Sequence, residues 1–94
     1  MNSARARASH ILVSTKEECE GLKQQIKDGE DFKDLAKVHS QCPSGQRGGD
    51  LGEFGRGQMV PEFDAVVFSE ALNEVHGPVQ TQFGYHLIKI TSRS

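Results

Sequence analysis

The spacing of hydrophobic positions changes several times along the chain, and each change predicts an element. Residues 7–13, Arg-Ala-Ser-His-Ile-Leu-Val, are rich in apolar and β-branched types and predict a strand. Alternate side chains of a strand share a face, so His10 lies with Ala8 and Leu12. Thr15 followed by Glu18 is a capping-box pattern that opens a helix running to about Asp28. Cys19, Leu22 and Ile26 form its apolar stripe, and Gly29 supplies a C-cap. Asp31 caps a second helix that turns Phe32, Leu35 and Ala36 inward, with Val38 a further candidate.

The periodicity then stops. Between Gln41 and Gln58 lie six of the ten glycines, with Leu51 and Phe54 as large apolar islands that predict a short strand between loops. Pro61 suits the first turn of a third helix, whose Phe63, Val66 and Val67 face the core. The last twenty residues predict two strands, around Val79 and from Tyr85 to Ile90, joined by a turn at Gln82-Phe83-Gly84. In the final strand His86 shares its face with Ile88 and Ile90. The order βααβαββ predicts an α+β domain in which helices wrap a small, mostly antiparallel sheet.

Ninety-four residues make one domain, 1–94, with residues 1–5 expected to be flexible. The formal charge of −2 is spread as mixed acids and bases, so no nucleic-acid partner is expected, and Arg5 and Arg7 read as a solvated chain end. No apolar run approaches the roughly 18 residues of a membrane span, and the N-terminus lacks the apolar core of a secretory signal. The chain therefore reads as cytoplasmic, either a mature protein or a domain of a longer one. Cys19 and Cys42 are expected to be reduced. No apolar stripe is left over for pairing, so a monomer is expected.

His10 and His86 each fall on the apolar side of a predicted strand. A lone histidine there is ordinarily a core residue with its hydrogen bonds satisfied. Two of them on terminal strands, which can pair in a small sheet, favour a shared site. His39 and His76 read as surface residues. Cys42 sits in a loop between Gln41 and Pro43, where a reactive thiol and a structural one are equally compatible with the sequence; Cys19 lies on a helix stripe and reads as packing. His10, Cys42 and His86 contain the residue types of a metal site or a cysteine hydrolase. No tight ligand spacing supports the metal, and no oxyanion hole is evident for the hydrolase. No metal or cofactor is therefore expected. The glycines do not form a phosphate-binding fingerprint. Leu51, Phe54, Met59, Phe63 and Phe83 are singly core candidates and together a candidate apolar pocket beside the histidines.

Four segments together resemble the parvulin family of peptidyl-prolyl cis/trans isomerases. They are His-Ile-Leu-Val at 10–13, Gly-Gly-Asp-Leu-Gly-Glu-Phe at 48–54, Arg-Gly-Gln-Met-Val-Pro-Glu-Phe at 56–63, and Gly-Pro-Val-Gln-Thr-Gln-Phe-Gly-Tyr-His-Leu-Ile-Lys at 77–89. The chain is especially similar to minimal bacterial-type parvulins made of the catalytic domain alone. The resemblance implies a parvulin-like (FKBP-like) four-stranded antiparallel sheet surrounded by about four helices. It implies proline-containing peptides or proteins as substrates, and a role in protein folding. His10 and His86 match the family's paired histidines, Cys42 its cysteine, and Thr81 a hydroxyl that orders the pair. Leu51, Met59 and Phe63 match its proline pocket, with Phe54 and Phe83 as flanking aromatics. Ser14-Thr15-Lys16 stands where the phospho-specific branch carries a basic loop, and Gln41 where that branch has an acid. A phospho-independent preference is therefore expected. The rival readings are a proline-segment-binding module with little catalysis and a thiol hydrolase.

Overall fold

The computed structural model describes residues 4–94. Four strands, β1 (Arg5–Val13), β2 (Asp50–Gly55), β3 (Val75–Thr81) and β4 (Gly84–Arg93), form one antiparallel sheet in the order β2-β1-β4-β3. The helices are α1 (Lys16–Lys27), α2 (Phe32–His39) and α3 (Pro61–Val67), and a 3-10 turn at Pro43–Arg47 is the fourth helical segment. Arg5, within the stretch expected to be flexible, already pairs with Gly55 in β1–β2, while residues 1–3 lie outside the described residues.

Thr15 caps α1 as the sequence predicts, its hydroxyl accepting from the Glu18 N–H at 3.1 Å. Gly29 follows that helix with φ +108, the left-handed conformation a glycine adopts without a Cβ penalty. Asp31 occupies the cap position of α2 but makes no side-chain capping bond. Val38 does not turn inward: it is 75% exposed, because Phe32, Leu35 and Ala36 already fill the buried face of this two-turn helix.

The period-two alternation of β1 and β4 divides the core between the two faces of the sheet. Ile11, Val13 and Leu87 pack against α1 and α2 through Cys19, Leu22, Phe32 and Leu35. Ala6, Ala8, Ile88 and Ile90 pack on the other face against Phe63 and Val67 of α3, and against Phe54 of the edge strand β2. Each valine, leucine, isoleucine or phenylalanine among them contributes about 1.5–3 kcal/mol when fully buried. His10 and His86 share the parity of the second set. They lie on the α3 face at the end of the sheet where the apolar ladder gives way to loops.

Candidate active site

Pairing of the first and last strands brings the two histidines together. The β1–β4 register sets His10 opposite Ile88 and Leu12 opposite His86, so the imidazoles are diagonal neighbours on one face. Their rings stack with centroids 5.2 Å apart, and Nδ1 of one lies 3.0 Å from Nδ1 of the other. His86 Nε2 lies 2.7 Å from Thr81 Oγ1, which also accepts from the Phe83 N–H at 3.1 Å. Thr81 is at the end of β3 and is itself buried. Phe63 of α3 stands edge-on to both imidazoles, with centroids at 5.5 and 5.6 Å.

The chemistry of this chain follows from its donors. Two neutral imidazoles that meet through their Nδ1 atoms hold one proton between them, so protonation at one Nδ1 requires a bare lone pair at the other. Fixing the proton on His86 Nε2, or the hydroxyl proton on Thr81, therefore fixes the state of His10 at the far end. Burial disfavours a charge on either ring. It lowers the His10 pKa from 6.5 to about 4, with the neighbouring His86 a smaller contribution, and it lowers His86 as well. Both rings are neutral near pH 7. His10 Nε2 is buried without a partner among the described residues.

Above the histidines opens a recess of about 490 Å³. Its walls include Leu51, Met59, Phe63 and Phe83, with Cys42 and Pro43 at one side. Phe83 is 60% exposed at the rim, held on the turn between β3 and β4. The loop carrying Cys42 is tied to β1 by two bonds to Leu12, and Ser40 also bonds within the loop. Ser40 Oγ accepts from the Leu12 N–H at 3.1 Å and from the Cys42 N–H at 3.4 Å, and the Gln41 N–H donates to the Leu12 carbonyl at 2.7 Å. Ser44 donates to Cys42 Sγ at 3.3 Å. Cys19 is unlike Cys42 in being fully buried in the core, and burial pushes its thiol up to about 11. His39 is half-buried at the end of α2 and does not line the recess, and His76 bonds through Nε2 to the Ala71 carbonyl, away from it.

Of the residues read from the sequence, His10, Cys42, His86, Leu51, Met59, Phe63 and Phe83 all line this one recess, and Thr81 lies directly beneath it. Phe54 does not flank it. It is 3% exposed beneath Phe63 and Phe68, because in β2 it faces inward toward Ala6 and the α3 core. The sequence reading missed Leu12, Gln41, Pro43, Gln58 and Val60 as wall residues. Leu12 was findable, since it alternates with His10. Gln58 was not: its place depends on a turn in which its Oε1 accepts from the Gly55 N–H at 2.9 Å.

An apolar recess floored by neutral, internally bonded imidazoles is suited to hold an uncharged group out of water. Residues 1–94 match the PPIC-type PPIase domain family. The chain is 48% identical over 88 residues to the foldase protein PrsA of Geobacillus kaustophilus, covering 93% of this chain and 31% of that protein. The crystal structure of peptidylprolyl isomerase (PrsA) from Bacillus anthracis superposes with a TM-score of 0.94 at 40% identity, over 98% of this chain and 43% of that one. The solution structure of the parvulin of Nitrosopumilus maritimus superposes at 0.85 with 38% identity, over 98% of this chain and 100% of that one. The chain thus belongs to the PPIC-type, or parvulin, family of peptidyl-prolyl cis/trans isomerase domains. It spans about a third of the length of the curated foldases it matches.

Proposed function

We propose that this domain accelerates rotation about X–Pro bonds of polypeptide chains during folding, by holding the proline ring and the twisted amide in the recess over His10 and His86. The observation that carries the reading is the apolar recess set on a buried, neutral histidine pair. Amide resonance raises the rotation barrier to about 18–20 kcal/mol. At the twisted transition state that resonance, and with it much of the amide's charge separation, is lost. An apolar, water-poor wall therefore favours the transition state over the planar ground state, and each 1.4 kcal/mol of difference gives about tenfold in rate.

Leu51, Met59 and Phe63 receive the proline ring in this reading, and Phe83 covers it from the rim. Phe54 acts through Phe63, which it supports from below. His10, His86 and Thr81 form a positioning chain that keeps the floor neutral and fixed in orientation. Cys42 shapes the polar side of the recess without forming a bond to substrate, since rotation requires none. The absence of a basic loop after β1 supports a phospho-independent preference. The whole 1–94 stretch acts as one domain and a monomer. Two unpaired cysteines support a cytoplasmic location, to be checked by cell fractionation.

The test is the isomerisation rate of short X-Pro peptides, measured for the domain, for Met59→Ala and for Cys42→Ser. Met59 is partly exposed at the wall, so its truncation leaves the fold intact while removing ring contacts. Loss of about tenfold or more in kcat/KM for Met59→Ala, with most activity kept in Cys42→Ser, is expected. An inactive Cys42→Ser with an intact fold would overturn the non-covalent assignment. Absence of acceleration by the unaltered domain would leave a proline-segment-binding module.

A further inference from the structure

A second recess, of about 450 Å³, opens on the other face of the sheet, and its character is opposite to the first. Arg7 of β1, Lys33 and Lys37 of α2, and Arg47 of the 3-10 turn converge on it, with the hydroxyls of Ser9 and Thr91 between them. Arg7 and Ser9 alternate with Ala8 and His10, which is why they lie across the sheet from the histidines. Among the described residues, only Arg7 of these four cations has an acidic partner, Asp50 at 4.0 Å. Lys33 and Lys37, one turn apart, repel each other, and although Asp34 shares their helix, neither lysine is ion-paired among the described residues. The recess has a built floor: Gly48 takes φ +70 and lies so near α2 that a Cβ there would meet Lys33 Cβ at 2.9 Å. A chain of net charge −2 thus gathers four cations around one concavity.

We propose that this recess is an accessory subsite for an acidic segment of the same polypeptide substrate whose proline occupies the histidine recess, a proposal that rests on the isomerase reading. Charge complementarity selects a polyanion. None of the nine lining residues is aromatic or aliphatic, so the recess offers no platform for stacking bases and no wedge for a lipid surface. Its hydroxyl and guanidinium groups suit carboxylates. The two recesses are linked by short stretches of chain, though no residue lines both. Cys42 and Pro43 line the first while Arg47 and Gly48 line the second, separated by one 3-10 turn of about 10 Å. Leu51 and Asp50, adjacent at the start of edge strand β2, divide them in the same way. An extended peptide advances about 3.3 Å per residue, so roughly three to five residues from the bound proline reach the basic recess around that edge.

The experiment compares three peptides of equal length by exchange spectroscopy: a neutral Ala-Pro peptide, the same peptide with four glutamates starting four residues from the proline on either side, and a proline-free glutamate peptide. At low salt the acidic substrate is expected to show about tenfold higher kcat/KM than the neutral one, as a few exposed ion pairs supply. That gain disappears at 0.5 M salt and in Lys37→Glu/Arg47→Glu, while turnover of the neutral peptide is unchanged. The proline-free peptide is expected to shift amide signals around Lys33, Lys37 and Arg47. Should the charge-reversed variant lose neutral-peptide turnover, Lys37→Gln/Arg47→Gln serves instead. Equal kcat/KM for acidic and neutral substrates overturns the proposal, as does a gain that survives both variants. Binding of anionic vesicles or single-stranded RNA without binding of the acidic peptide overturns it too. Failure of the isomerase reading is distinguishable, since it abolishes neutral-peptide turnover and leaves the signal shifts of the proline-free peptide in place.

Discussion

Replacing Thr81 by valine keeps the shape of a buried side chain and removes one oxygen from beneath the histidine pair. That oxygen meets His86 Nε2 at 2.7 Å and accepts the Phe83 N–H at 3.1 Å. Each bond contributes roughly 1 kcal/mol net, and a buried polar atom left without a partner costs about 1–3 kcal/mol. The Phe83 N–H sits on a part-buried turn and can turn to water, so most of the loss falls on His86, which is buried. A destabilisation of about 2 kcal/mol is expected. For a domain of 94 residues holding on the order of 5–14 kcal/mol, the fold survives. The melting temperature should drop by about 8–16 °C. Activity should fall further than stability explains. With Nε2 freed, the pair no longer has a fixed proton arrangement, and kcat/KM is expected to drop about tenfold below the melting transition. Thr81→Ser retains the hydroxyl and should restore proton order, seen as a single set of imidazole nitrogen shifts. If Thr81→Val matches Thr81→Ser in melting temperature, kcat/KM and imidazole spectrum, the positioning role assigned to Thr81 is wrong.

Two further outcomes follow from burial and backbone geometry. His10 has a folded pKa of about 4 against 6.5 when unfolded, and His86 is lowered in the same sense. Between these values the unfolded chain binds more protons, so stability is full above pH 6.5 and falls as pH drops toward 4. The loss from His10 is on the order of 3 kcal/mol. Urea midpoints that stay level from pH 7 to pH 5 would refute it. Gly49, at φ +87, accepts the His10 N–H at 3.0 Å, and a Cβ there would collide with the His10 carbonyl oxygen. Gly52, at φ +74, has open space around it. Gly49→Ala should therefore cost roughly 3 kcal/mol or more, and Gly52→Ala about 1–2 kcal/mol for the left-handed backbone alone. Thermal melts of equal midpoint would contradict that difference.

Local rules were enough to read most elements from the chain. Thr15, Asp31 and Pro61 each mark a helix start, and the apolar residues of 7–13 and 85–90 mark two strands. These signals involve only near neighbours, so they survive without knowledge of what packs where. The histidine pair was legible for the same reason, as two polar rings on apolar strand faces. That they meet, through Nδ1 atoms 3.0 Å apart, depended on the β1–β4 register, a pairing across 76 positions in the chain. The inward turn of Phe54 and the outward turn of Val38 were also decided by packing partners distant in sequence. The basic recess is the clearest case. Arg7, Lys33, Lys37 and Arg47 look like scattered solvated charges in the chain. Only the docking of α2 and the 3-10 turn beside β1 gathers them around one concavity, because charge has no periodicity to announce where it will converge.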